Sequence, residues 1–495
     1  MAVVLETKAQ CFVCRKPAGH RCGKCNRVYY CGREHQLNDW MKHKNTCHRL
    51  LYEVRESKTL GRHWVAREDI IACETLLIET PLAYGPKAAS PPVCLACHVK
   101  LRTAIYKCPS CGWPTCDNYP LCGQHHSEAE CRLITGHSPF SVDQNFENCF
   151  SFSAYCFVLP LRCLLLKGNN NEKFRRLQSH LEARSNTPLY NIYRINLVEF
   201  MLDRLGMRTS GLVDKDILET AAILDTNAFE VRYSGGAKMR AVYAEASMLA
   251  HNCKPNTKHV FTGNNGEIRL LSTVNIKKGE TITATYTQSL WPTFNRRNHL
   301  KAAKCFICEC ERCLDLTEFG THLSSVVCSG CGDYVTPYQL KCNELCRIEH
   351  NWNIYNLKIS EIERRIQSLG KNIDLATLEY FLDQKITPLF HSNHFIIVKI
   401  KYTLVQMYSI KILDLTICQL ENNFKICIEL LKLADVLDPG FTRFRGLLFF
   451  YIQQGLKRLF QLKPKQNLSN EIESFLQEAK GILKTEPDLA HLVIL

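Results

Sequence analysis

Ala250-His251-Asn252-Cys253-Lys254-Pro255-Asn256 and, further on, Cys305-Phe306-Ile307-Cys308-Glu309-Cys310-Glu311-Arg312-Cys313 are the two stretches whose joint reading decides the fold. Cys308, Cys310 and Cys313 stand in Cys-x-Cys-x2-Cys spacing and offer three thiolates. A closed tetrahedral zinc site takes four N or S donors, so this run needs one more from elsewhere. Cys253, just ahead of a Pro-Asn turn, is a suitable donor, and one ion would then tie the two stretches together. Between them, Gly279-Glu280-Thr281-Ile282-Thr283-Ala284-Thr285-Tyr286 reads as a strand with a tyrosine near its end.

The chain has 495 residues, enough for about three domains. With 46% hydrophobic residues it can fill a large core, which excludes global disorder. Its start does not combine a basic segment, an apolar run and a small-residue cleavage site, so secretion is not expected. No apolar run reaches the roughly 18 residues of a membrane span, and the expected location is cytoplasm, nucleus or both. In such a chain 28 cysteines point to metal sites rather than disulfides. The formal charge of +14 overstates the basicity, because six divalent zinc ions held by twenty-one thiolates bring it to about +5. Charge alone is thus a weak argument for nucleic-acid binding.

Zinc modules punctuate the sequence. Cys11-x2-Cys14, Cys22-x2-Cys25, Cys31-x3-His35 and His43-x3-Cys47 make four ligand pairs. The first and third pairs would hold one zinc, the second and fourth another, each with Cys3His ligation. With Tyr29-Tyr30-Cys31-Gly32-Arg33-Glu34-His35-Gln36 and Asp39-Trp40-Met41-Lys42-His43, the segment 11–47 resembles a MYND zinc finger, with His35 where many such fingers have cysteine. Residues 50–93 then read as short strands, from Gly61-Arg62-His63-Trp64-Val65-Ala66 to Ile70-Ile71-Ala72-Cys73-Glu74-Thr75-Leu76-Leu77-Ile78-Glu79. They are interrupted at 94–131 by Cys94-x2-Cys97, Cys108-x2-Cys111, Cys116-x5-Cys122 and a histidine with Cys131. Both His125 and His126 are candidates there, with His126 favoured on spacing.

Together these features resemble the SET-and-MYND (SMYD) family, with a MYND-like module set between two halves of a SET domain. The knot around Cys253, the strand to Tyr286 and the cysteine-rich segment after it are similar to that domain's C-terminal half. The finger at 11–47 looks like the branch of the family expanded in arthropods. The resemblance implies an α+β multidomain chain. Its split SET domain comprises 50–93 and 226–290, with a helical insert at 132–225 and a post-SET zinc segment at 291–313. Strand signals at Arg240–Tyr243, Thr257–Phe261 and Ile268–Leu271 fit the core, and helical spacing at Phe174–Leu181 and Ile195–Leu202 fits the insert. Cys328-x2-Cys331 and Cys342-x3-Cys346 read as a zinc ribbon at 328–346. Residues 352–495 read as a helical domain like tetratricopeptide repeats, with Ile426–Asp435 amphipathic and Pro439-Gly440 as a stop.

The resemblance also implies a reaction: transfer of a methyl group from S-adenosylmethionine to a lysine of a histone or other protein. The acceptor must be a neutral amine, and holding it in line while excluding water is the enzyme's main task. Tyr286 matches the family's catalytic tyrosine. Gly61, Arg62, His63, His180, Asn227, Ala250, His251, Tyr286 and Phe306 match cofactor-lining positions. The sequence departs from the family at the glycine turn, where His63 replaces the second glycine, at Ala250 in place of asparagine, and at Thr281 in place of an acid. Those departures motivate an alternative, a SET-fold adaptor that recruits partners through its fingers and C-terminal helices. The fingers are expected to take proline-containing peptides, and Arg27, Arg33, Lys42, Lys44 and Arg49 give the first a basic face that could meet nucleic acid. The zinc sites, being closed, are expected to be structural, and a monomer is expected.

Overall fold

The computed structural model describes residues 11–14, 16–22, 25, 28–44, 47, 50–101, 106–116, 128–135, 153–232, 237–262, 265–337, 339, 341–342, 346, 348–368, 374–464 and 468–493. It is an α+β multidomain protein with a β-rich centre, zinc modules beside it and a helical C-terminal part.

Among the described residues, ten short strands build the centre. They are β1 (Tyr52–Ser57), β2 (Gly61–Ala66), β3 (Thr75–Glu79), β4 (Ala83–Pro86), β5 (Phe229–Arg232), β6 (Lys238–Val242), β7 (Ala250–His251), β8 (Thr257–Thr262), β9 (Glu267–Ser272) and β10 (Thr281–Ala284). They form three small sheets, ordered β4-β6-β5, β7-β10-β2-β1 and β8-β9-β3, so strands from both sides of the insert share every sheet. The pairings are antiparallel except β7 with β10, where Ala250 stands beside Thr283 and His251 beside Ala284. Trp64, fully buried, stacks on Tyr52 with ring centroids 3.6 Å apart. The Glu79 carboxylate accepts from the backbone N–H groups of Ala244, Glu245 and Ala246 at 2.9–3.2 Å, which fixes the loop leading into β7.

Asn256 holds the knot closed. Its Oδ1 accepts from the Thr283 N–H at 2.7 Å, and its Nδ2 donates to the Thr281 carbonyl at 2.9 Å. A side-chain amide can thus serve β10 as a neighbouring strand would.

Two helices of the insert flank the sheets, α1 (Val158–Gly168) and α2 (Asp214–Asn227). The expected helix at 174–181 is interrupted: Glu172–Arg175 and Leu181–Arg184 are single turns, and His180 between them has φ +52°. Polar side chains around α2 take the carbonyls that a continuous helix would use. Asn227 Nδ2 donates to the Gln178 carbonyl at 2.7 Å and Thr226 Oγ1 to that of Ser179 at 3.2 Å. Residues Arg194–Arg204 are helical but underwound to the π form. Arg162 on α1 docks the second zinc module by donating to the Leu95 carbonyl at 2.9 Å and to the buried Glu130 at 2.7 Å.

Beyond the strands come α3 (Thr293–Lys304), α4 (Trp352–Ser368), α5 (Phe395–Ile410), α6 (Ile417–Leu437), α7 (Arg443–Leu462) and α8 (Ser469–Leu483). The Thr416–Gln419 capping box starts α6. The C-terminal helices share a second core, which includes Val326, Cys328 and Val335 of the ribbon. Gly440 joins the two cores at φ +82°, where an added Cβ would lie 1.9 Å from the Thr273 carbonyl oxygen. The adjoining Phe441 N–H donates to that same oxygen at 2.9 Å. Lys258 bridges to Glu486 at 2.8 Å, and Ser289 Oγ donates to Asp438 at 3.0 Å. Among the described residues no helix is long and apolar enough to cross a membrane.

Candidate functional site

Among the described residues, tetrads whose donor atoms lie within 4.8 Å of one another are Cys11, Cys14, Cys31 and His35; Cys22, Cys25, His43 and Cys47; Cys253, Cys308, Cys310 and Cys313; and Cys328, Cys331, Cys342 and Cys346. Cys94, Cys97 and Cys116 form a further triad, and Cys108 and Cys131 approach to 3.7 Å near the buried Cys111. Cys122, His125 and His126 lie outside the described residues. Four soft donors with no fifth position suit closed structural zinc, and the donor sets fit it. Such ions staple modules that have almost no core of their own, as in the first finger, whose buried cluster is four cysteines and Tyr30.

The tetrad on Cys253 rests on a buried charge cluster. Arg296, Arg312 and Glu318 are all at most 2% exposed. Glu318 accepts from Arg296 at 2.7 Å and from Arg312 at 2.9 Å. Arg312 also donates to the carbonyls of Cys253 at 3.0 Å and Ser289 at 2.6 Å, and Arg296 to Cys313 Sγ at 3.4 Å. Burial alone would raise the Glu318 carboxyl, but the two guanidinium groups outweigh it and hold it below the usual range. Of this cluster the sequence reading quoted only Arg312, as part of the cysteine run. Arg296, on the helix that precedes the cysteine run, has no sequence signal that separates it from a solvated arginine.

Next to this tetrad three aromatic rings converge. His251 lies 5.2 Å from Tyr286 and 5.9 Å from Phe306, centroid to centroid. The Tyr286 N–H donates to His251 Nδ1 at 3.0 Å, and its hydroxyl donates to the Leu249 carbonyl. Burial pushes the Tyr286 hydroxyl up to about 12 and the His251 imidazole down to about 4, so both are neutral at pH 7. Asn227 is bound through Nδ2 to the turn that carries His180, and its carbonyl accepts from Ser247 Oγ at 3.2 Å. Lys304, absent from the sequence-level candidates, lies over the Tyr286 ring, 5.4 Å from its centroid.

The glycine turn opens β2. Gly61 has φ +61° and nothing within 4 Å of an added Cβ, so its backbone faces open space. The His63 ring does not enter that space: it is 7% exposed, and Nδ1 donates to the Gly61 carbonyl at 2.9 Å. Arg62 reaches the Arg176 carbonyl in the insert. Ala250 is buried on β7 beside Thr283. An open glycine turn, a neutral tyrosine and a half-buried edge at Phe306 and Cys305 fit an extended nucleoside-like ligand.

Family models for the MYND finger and the SET domain match residues 11–47 and 61–287. The chain is 30% identical over 300 residues to the SET domain-containing protein SmydA-8, isoform A, of Drosophila melanogaster, covering 59% of this chain and 62% of that protein. It is 21% identical over 305 residues to human N-lysine methyltransferase SMYD2, covering 61% and 49%. The chain thus spans less than two thirds of the length of these relatives. A solved SET domain of LSMT bound to lysine and AdoHcy overlays with a TM-score of only 0.30 at 12% identity, covering 90% of this chain and 92% of that one. The fold and the matched models define a SET-domain protein bearing a zinc finger. The chain carries a MYND finger and a SET domain, the two modules that name the SET-and-MYND family, and it is similar to members of that family.

Proposed function

We propose that this chain is an S-adenosylmethionine-dependent protein-lysine N-methyltransferase acting on histone or non-histone proteins. Its SET domain would be 50–93 with 226–290. The observation that carries the reading is the neutral Tyr286, hydrogen-bonded to the Leu249 carbonyl and flanked by His251 and Phe306, next to the zinc-tied knot. The cofactor would supply an activated methyl group. Gly61, Arg62, Asn227, Ala250, His251 and Phe306 would hold it, with His180 and His63 at its margin. Tyr286 and the Leu249 carbonyl would orient the incoming amine without adding charge, so the amine can lose its proton before attack. The relatives named as lysine methyltransferases support the same reaction class. The fingers are proposed to take proline-containing peptides and the C-terminal helices to hold the substrate protein.

Calorimetric titration of the zinc-loaded chain with S-adenosylmethionine, with Tyr286→Phe alongside, tests the proposal. Micromolar binding retained in the variant, with methyl transfer lost, supports it. Absence of binding would favour the adaptor reading, which the histidine in the glycine turn motivates.

A further inference from the structure

Lys304 ends α3, immediately before Cys305 and Phe306. Its Nζ donates to the carbonyls of Asp225 and Thr226, at 2.8 Å each. These are orphan carbonyls at the end of α2, just before Asn227, and a cation there is an ordinary helix cap. Two features are not ordinary. Nζ lies 5.4 Å from the centroid of the Tyr286 ring, inside the frame of residues described above. Among the described residues, no third hydrogen-bond acceptor holds it. Burial, and then the charge of Arg240, draw the amine down to about 8, against the opposing pull of Asp225. At neutral pH an appreciable share of it is the uncharged, nucleophilic form.

We infer that Lys304 is itself a methylation site of this chain, an internal acceptor held by two carbonyls beside Tyr286. The inference rests on the methyltransferase reading. Nζ first loses one proton to water. Its lone pair then forms a bond to the methyl carbon of S-adenosylmethionine, while the carbon–sulfur bond breaks and its electron pair stays on sulfur, leaving S-adenosylhomocysteine. The product nitrogen keeps two N–H groups, one for each carbonyl. A second methyl would remove one of those donors and leave a carbonyl unpaired, so the reaction stops at one methyl.

The test uses the zinc-loaded full chain, S-adenosylmethionine with an isotopically labelled methyl group, and peptide mapping by mass spectrometry. A single methyl on Lys304 is expected. It should form at a rate independent of protein concentration, fall at least about tenfold in Tyr286→Phe and vanish in Lys304→Arg. A second readout needs no turnover: S-adenosylhomocysteine should slow acetic anhydride labelling of Lys304 in the wild-type chain. If S-adenosylhomocysteine binds by calorimetry but Lys304 gains no methyl, or other lysines are methylated instead, the inference is overturned while the methyltransferase reading stands. If no cofactor binds, both fall. A Lys304 rate that rises with protein concentration would overturn the internal acceptor.

Discussion

Arg312 Nη1 donates to the Cys253 carbonyl at 3.0 Å, joining the knot to the post-SET cysteine run in parallel with the zinc tetrad to which Cys253 itself belongs. The same guanidinium shares Glu318 with Arg296, and the three side chains are almost fully buried. Removing the carboxylate that the two guanidinium groups share would break both buried ion pairs at once. Glu318→Gln should therefore lower unfolding stability by about 3–5 kcal/mol in denaturant titrations of zinc-loaded protein. A loss under about 1 kcal/mol would mean that water reaches the cluster and the clamp is not what holds the segment.

Cys310 is the middle donor of the same tetrad, whose ion joins the Cys253 knot to the segment carrying Phe306. Metal analysis of the wild-type chain should return about six zinc ions and Cys310→Ser about five. Calorimetry of the variant should show weakened binding of S-adenosylmethionine, because one wall of the site has lost its tie. Three or fewer ions in the wild type would refute the modular zinc reading. Unchanged cofactor affinity in the variant would separate the zinc from the site.

Gly440 takes a left-handed conformation where an added Cβ would meet the Thr273 carbonyl at 1.9 Å. Backbone at that oxygen cannot move cheaply, since Phe441 also donates to it. Gly440→Ala should cost about 2–4 kcal/mol through strain and separation of the two cores. Limited proteolysis should then cut between the SET strands and α7. A melting temperature equal to wild type would show that the junction relaxes freely.

Much of the fold was legible because its signals are local. The strands at 238–242, 257–262 and 267–272 follow alternating or β-branched runs, and α6 ends where Pro439-Gly440 marks a stop. The cysteine spacings likewise marked the residues that make up the tetrads. What was not legible depends on long-range partners. The apolar spacing at 174–181 suggested one helix, yet Asn227 and Thr226, nearly fifty residues away, capture its carbonyls. Lys304 carries no motif; only the meeting of α3 with the end of α2 and the Tyr286 ring sets it apart. The Arg296–Glu318–Arg312 cluster was hidden for the same reason.

His63 and Ala250 depart from the family at positions proposed to line the cofactor, but their structural settings differ. The His63 ring is buried and folded back onto the Gly61 carbonyl, away from the open space beside Gly61. Its replacement should therefore matter more to the sheet than to the ligand. His63→Gly should leave the dissociation constant for S-adenosylmethionine within about threefold while lowering stability by about 2 kcal/mol, from lost packing and added backbone entropy. Ala250 offers no side-chain hydrogen bond at all. Ala250→Asn should add one and tighten binding about fivefold, the equivalent of about 1 kcal/mol. Calorimetry on the two variants separates the cases: a large gain in affinity from His63→Gly would mean that the ring obstructs the turn, and no gain from Ala250→Asn would mean that β7 does not present residue 250 to the cofactor.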